Sequence, residues 1–189
     1  KDKQYDKFIS ISRSAQEYNP EEMVFYYFEG FAQYMKKENE AALQTFKKGV
    51  AQIKPDSDPN IVSDFYAVMG DILHEKGLER QAFEAYDSCL HWRPDNLSAL
   101  NNYAYYLSLT KSDLKKAELM SYKTIKKEPT NSTFLDTYAW ILFLQGRYEE
   151  ANTYIEQAIK NDSTPSGTLF EHAGDIYYQA GKPEAALEA

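Results

Sequence analysis

The chain has 189 residues, 43% hydrophobic and 15% aromatic, with a formal charge of −8. That is enough apolar material for one or two ordinary cores or one elongated array, and the acidic balance disfavours non-specific contact with DNA, RNA or an anionic membrane. A single cysteine permits no internal disulfide, and the longest apolar run, Ala139–Leu144, falls far short of the ~20 residues of a membrane helix.

Taken in chain order, residues 1–19 hold a helix with Tyr5, Phe8, Ile9 and Ala15 on one face, read as the closing helix of a preceding unit. Asn19-Pro20-Glu21-Glu22 then offers a cap, a proline for the first helical position and first-turn acids. It opens a unit over 20–60 whose first helix carries Glu29 and Gln33 at positions that should be apolar. That unit is lengthened by the stretch QIKPDSDPNIV. Asp58-Pro59 repeats the starting device before a unit over 61–96, and Ser112-Asp113 starts the second helix of a unit over 97–131.

The unit over 132–166 contains LDTYAWILFLQGRYEEANTYIEQAI, from Leu135 to Ile159. Its greasy half reads as a helix buried along one side. Gly146 ends that helix, and an amphipathic second helix folds back. Thr164-Pro165 precedes the last unit, 167–189, in which Gly181-Lys182-Pro183 begins another second helix. EAALEA breaks off one turn into it, so both ends read as interior to a longer array.

These units repeat. The small residues Gly30, Gly70, Ala104, Ala139 and Gly174 step by 40, 34, 35 and 35. A second ladder, Ala42, Ala82, Ala117, Ala151 and Ala186, steps by 40, 35, 34 and 35. Gly77, Gly146 and Gly181 each follow a first-ladder residue by seven. Tyr66, Met69-Gly70, Leu73, Ala82, Tyr86 and Pro94 fill one set of slots. Leu100, Tyr103-Ala104, Leu107, Ala117 and Pro129 fill the next, with Ser121 in a slot for a bulky residue. Leu135, Tyr138-Ala139, Leu142, Ala151 and Ile155 follow, with Ser163 in place of proline.

This pattern resembles the tetratricopeptide repeat over roughly Pro20 to Ala189. The resemblance implies an all-α, right-handed superhelical solenoid of helix-turn-helix repeats forming one domain. It also implies that the first helix of each repeat lines a concave groove. Those first helices, Glu21–Met35, Asn60–Glu75, Leu97–Thr110, Ser132–Gln145 and Ser166–Ala180, hold no Lys or Arg. Basic residues wait for the ends, as Lys36, Lys76, Lys111 and Arg147 do, or sit on second helices, as Lys115, Lys116, Lys123, Lys126 and Lys127 do.

Residues beside the core stripe, at i, i+4 and i+7, share a face. They read Tyr27-Phe31-Tyr34, Ala67-Asp71-His74, Asn101-Tyr105-Ser108, Asp136-Trp140-Phe143 and Glu171-Asp175-Tyr178. An open face of this kind is an aromatic groove with acidic flanks, suited to a neutral or basic peptide or helix of another protein. Packing of the same aromatics against the next repeat is the competing reading. Some family members clamp a C-terminal carboxylate with Lys, Arg and Asn. Here Asn101 and Asn102 are present but the cations are not, and a carboxylate facing these acids would be repelled, which argues against that use.

No catalytic, cofactor or metal site is expected. His74, His91 and His172 fall in different units and read as surface or half-buried residues, with His172 three positions from Asp175. Cys89 reads as core, and adjacent Glu149 and Glu150 point apart on a helix. The expected function is a non-catalytic protein-interaction scaffold. A self-assembling structural module is one alternative, and an RNA-binding helical repeat is another, disfavoured by charge. LDTYAWILF, GRYEEA and EHAGDIYYQAGKPEAALEA look like segments of bacterial tetratricopeptide proteins, which gives a weak preference for the cell envelope.

Overall fold

The computed structural model describes residues 2–182 and Ala186. Among them are ten helices and no strand. The chain divides into two compact units, 1–96 and 97–189, so the division falls between the second and third repeats.

The first unit holds α1 (Asp2–Tyr18), α2 (Met23–Met35), α3 (Asn39–Val50), α4 (Pro59–Glu75) and α5 (Glu79–Trp92). Helices α2 and α3 form one antiparallel hairpin, α4 and α5 the next, and α1 packs on α2. Helix α5 shows why its sequence is helical and one-sided: Ala82, Ala85, Tyr86 and Cys89 are buried at i, i+3, i+4 and i+7. Phe46 of α3 meets Phe65 of α4 edge to face at 5.0 Å, joining consecutive hairpins inside a cluster that includes Leu43, Val62, Ile72 and Leu73.

The small-residue ladder has the expected steric cause. A Cβ on Gly30 would stand 2.5 Å from the Phe46 ring, and one on Gly70 would stand 2.8 Å from the Tyr86 ring. Glu29 and Gln33, the misfits of the sequence, are buried but paired. Glu29 accepts from Arg13 at 2.7 Å, Gln16 at 2.8 Å and Gln33 at 3.1 Å, while Thr45 donates to Gln33 at 2.8 Å. This network fixes α1 to α2 and α3. On α1 itself the sequence reading needs correction. Ile9 and Ser12 are the buried pair, whereas Phe8 is exposed and touches Phe28 at its edge.

The second unit holds α6 (Leu97–Thr110), α7 (Leu114–Lys127), α8 (Ser132–Leu144), α9 (Tyr148–Asn161) and α10 (Gly167–Gln179). Helices α6 and α7 pair, as do α8 and α9, and α10 packs on both α8 and α9. The greasy half of the 135–159 stretch is buried on more than one side. Phe134, Leu135, Thr137, Tyr138, Ala139, Ile141 and Leu142 of α8 are all inside. That is why it lacks the one-sided pattern of α9, where Ala151, Ile155 and Ala158 carry the burial.

Helix starts agree in part with the sequence. Asp58 accepts from the Asn60 amide and Asp113 from the Lys116 amide, as read. Asn19-Pro20 and Thr164-Pro165 instead lie ahead of their helices. Helix α2 begins at Met23 and α10 at Gly167, the latter capped by Ser166, which accepts from the Leu169 amide. The second helix of the last repeat lies, apart from Ala186, outside the described residues. No helix among the described residues is long and apolar enough to cross a membrane.

Candidate functional site

In the first unit the candidate face comes from α2 and α4, which pack side by side. Tyr27, Phe31, Tyr34, Asp71 and His74 are all half-buried. Tyr27 stacks on Phe31 at 5.9 Å and leans on Phe65 at 5.7 Å. Burial and the charge of Asp64 raise the Tyr27 phenol above its ordinary pKa; burial, Asp71 and Glu75 do the same for Tyr34. Asp71 also accepts a short hydrogen bond from the Tyr86 hydroxyl, so this carboxylate helps hold α5 on α4.

In the second unit α6, α8 and α10 present their candidates together. The centre is a pair the sequence did not join: His172 Nδ1 lies 2.8 Å from Asp136 Oδ1. His172 is buried, not half-exposed, and its partner is Asp136 of the preceding repeat, not Asp175 on its own helix. Trp140 stacks on His172 at 4.1 Å and on Phe143 at 4.9 Å, and Tyr105 approaches His172 at 6.1 Å. Burial, and then the charges of Asp136 and Glu171, raise the Tyr105 phenol above its ordinary pKa.

Exposure sorts these candidates. Tyr178 is 68% exposed, and Glu171 and Asp175 are exposed with it on α10. Tyr105, Asp136, Trp140 and Phe143 are half-buried, and their rings serve packing as well as the surface. Asn101 and Ser108 are buried and offer little to a ligand. The residue at the middle of these contacts that the candidate face did not include is His172, next in sequence to the candidate Glu171.

Other chemistry-bearing groups are spoken for. Cys89 is fully buried, contacts Ser63 Oγ at 3.2 Å, and is pushed by burial up to about 11. Among the described residues, no group of three or more His, Cys, Asp or Glu could hold a metal ion.

Comparison with known proteins gives a consistent picture. Family models described as the tetratricopeptide repeat match residues 63–96 and 139–189. A TPR repeat-containing protein of Pseudomonas aeruginosa is 30% identical over 82 residues, which are 43% of this chain and 14% of that protein. Among solved structures, YrrB, a TPR protein with an unusual peptide-binding site, superposes with a TM-score of 0.75 at 19% identity, covering 94% of this chain and 87% of that one. MamA of Desulfovibrio magneticus RS-1 gives 0.73 at 17%, covering 88% and 90%. BtubC of P. vanneervenii gives 0.77 at 12%, covering 99% and 85%. Over residues 63–96 and 139–189 the chain thus carries tetratricopeptide repeats, and its fold of helical hairpins is similar to that of bacterial proteins built of them.

Proposed function

We propose that this chain binds a neutral or basic segment of another protein through the aromatic and acidic faces of its first helices. The general role of tetratricopeptide repeats, a protein-interaction scaffold that is typically non-catalytic, is the frame for this reading. The observation that carries it is the segregation of charge. The five first-helix segments hold no Lys or Arg, while α10, whose His172 stacks on Trp140 and lies near Tyr105, exposes Glu171, Asp175 and Tyr178. Helix ends favour cations through the dipole, which accounts for Lys36 and Lys76 but not for the empty interiors. Rings with neighbouring carboxylates supply both large amphipathic anchors and a preference for positive charge. The peptide-binding site named for YrrB is consistent with a peptide as ligand.

Affinity capture with the intact protein tests the reading. The wild type is compared with Glu171→Lys plus Asp175→Lys, a pair of exposed positions that leaves the core alone, and with Tyr105→Ala plus Trp140→Ala. Partners recovered by the wild type should be lost or reduced about tenfold by the charge reversal. Equal recovery of the same partners by all three proteins overturns it.

A further inference from the structure

The outer side of α7 is unlike the rest of this acidic chain. Its sequence, LKKAELMSYKTIKK, carries Lys115, Lys116, Lys123, Lys126 and Lys127 against the single acid Glu118. Lys116 is engaged, donating to the Tyr103 hydroxyl at 2.7 Å. Lys115, Lys123, Lys126 and Lys127 are exposed, and none of them is ion-paired among the described residues. Between them lie two apolar side chains in the open: Leu119 is 60% exposed and Tyr122 47%.

The spacing makes this a stripe. Lys115, Leu119, Tyr122 and Lys126 stand at i, i+4, i+7 and i+11, so they share one helical face, with Lys123 and Lys127 along one flank. The opposite side of the same helix, Ala117, Met120, Ser121, Thr124 and Ile125, is committed to the repeat. The stripe is therefore not a strayed core face. It is an apolar centre with cations at both ends and along one edge.

We propose that this face of α7 docks an acidic amphipathic helix of a partner protein, a second surface distinct from the acidic first-helix faces. A straight i, i+4, i+7 stripe matches the apolar stripe of a helix laid beside it, and Leu119 with Tyr122 supplies the apolar contact. The free lysines select carboxylates flanking that stripe. The net charge of −8 does not prevent this, because charges beyond the ~8 Å Debye length at physiological salt are largely screened. An anionic bilayer fits less well. Two exposed apolar side chains give little to insert, and carboxylates border the ridge: Arg147 ties Glu118 of α7 to Glu150 at the start of α9, and Glu149 is exposed beside it. A sheet of negative charge would meet those acids, whereas a single helix along α7 need not.

The test titrates the intact protein with a capped synthetic helix of about four turns, carrying leucines at i and i+4 or i+3 spacing flanked by glutamates. A scrambled peptide of equal composition, and vesicles of equimolar phosphatidylglycerol and phosphatidylcholine, serve as the other probes. The amphipathic peptide should bind. Lys115→Gln with Lys123→Gln and Lys126→Gln should weaken it roughly tenfold, as should Leu119→Ser with Tyr122→Ser. Both variants change exposed positions only, and circular dichroism verifies that they remain folded. Glu171→Lys with Asp175→Lys should leave this binding intact, which separates the α7 surface from the first-helix face. Absence of peptide binding, equal binding of the scrambled peptide, indifference to the α7 variants, or tighter association with the vesicles than with the peptide would each overturn the proposal.

Discussion

At the scale of single residues, the slot occupied by Gly30, Gly70, Ala104, Ala139 and Gly174 is set by what stands opposite. Gly70 faces the Tyr86 ring, whose three nearest atoms would lie 2.8, 2.9 and 3.0 Å from an added Cβ. Tyr86 is fully buried and its hydroxyl is tied to Asp71, so the ring has nowhere to retreat. Gly70→Ala should therefore cost about 1–3 kcal/mol from overpacking, exceeding the ~1 kcal/mol that alanine gains in helix propensity. Gly174 holds the same slot in the last repeat, but among the described residues what an added Cβ would meet there is the Ala186 carbonyl oxygen at 3.7 Å, an ordinary contact. Gly174→Ala should stabilise by roughly 0.5–1 kcal/mol. Thermal melts of the two variants should shift in opposite directions. A shift in the same direction would mean that the slot is not governed by the facing ring.

At the scale of the elements, the turn just past the end of each first helix falls on a residue seven places after that small slot. Gly77, Gly146 and Gly181 take φ values of 72°, 78° and 76° there. Lys37 and Lys111 occupy the equivalent places and are forced into the same left-handed conformation, at 64° and 53°. At Lys37 the turn is fixed by its neighbours, with Glu38 donating its amide to the Gln33 carbonyl at 2.9 Å just as Leu78 does to Leu73, and at Lys111 the lysine amide donates to the Ser108 carbonyl at 3.0 Å. Replacing Lys37 or Lys111 by glycine relieves ~1–2 kcal/mol of strain and gives back about 0.5–1 kcal/mol in unfolded-state freedom. Each change should raise the melting temperature by about 1–3 °C. A fall in either melt would show that the lysine side chain contributes more than its backbone costs.

For the molecule as a whole, what could be read from the sequence follows from what is periodic. The ladders placed the hairpins and the packing slots, because each repeat solves the same packing problem in the same register. Contacts that depend on one repeat's individual partners could not be read this way. His172 pairs with Asp136, 36 positions earlier, and Glu29 is satisfied by Arg13 and Gln16 of another helix, so neither i, i+3 spacing nor a consensus slot foretells the bond. The starts of α2 and α10 differ from the cap signals for a local reason: Asn19 accepts the Glu22 amide in a turn that closes before α2, and the Thr164 amide is taken by Asp162, leaving Ser166 to cap α10. The same periodic logic bears on how stability is distributed. Among the described residues, each unit holds two complete hairpins, one flanking helix and its own buried cluster, around Phe46 and Phe65 in the first and around Tyr138, Leu142 and Ile155 in the second. Arrays gain stability repeat by repeat, and about three repeats are the usual minimum for independence. Fragments 1–96 and 97–189, expressed separately, should each be helical and melt cooperatively, but below the intact chain, because each stands near that minimum. Circular dichroism melts decide the matter. A coil-like fragment would place its core's stability in the other unit, and a fragment melting at the temperature of the intact protein would remove the dependence on repeat number.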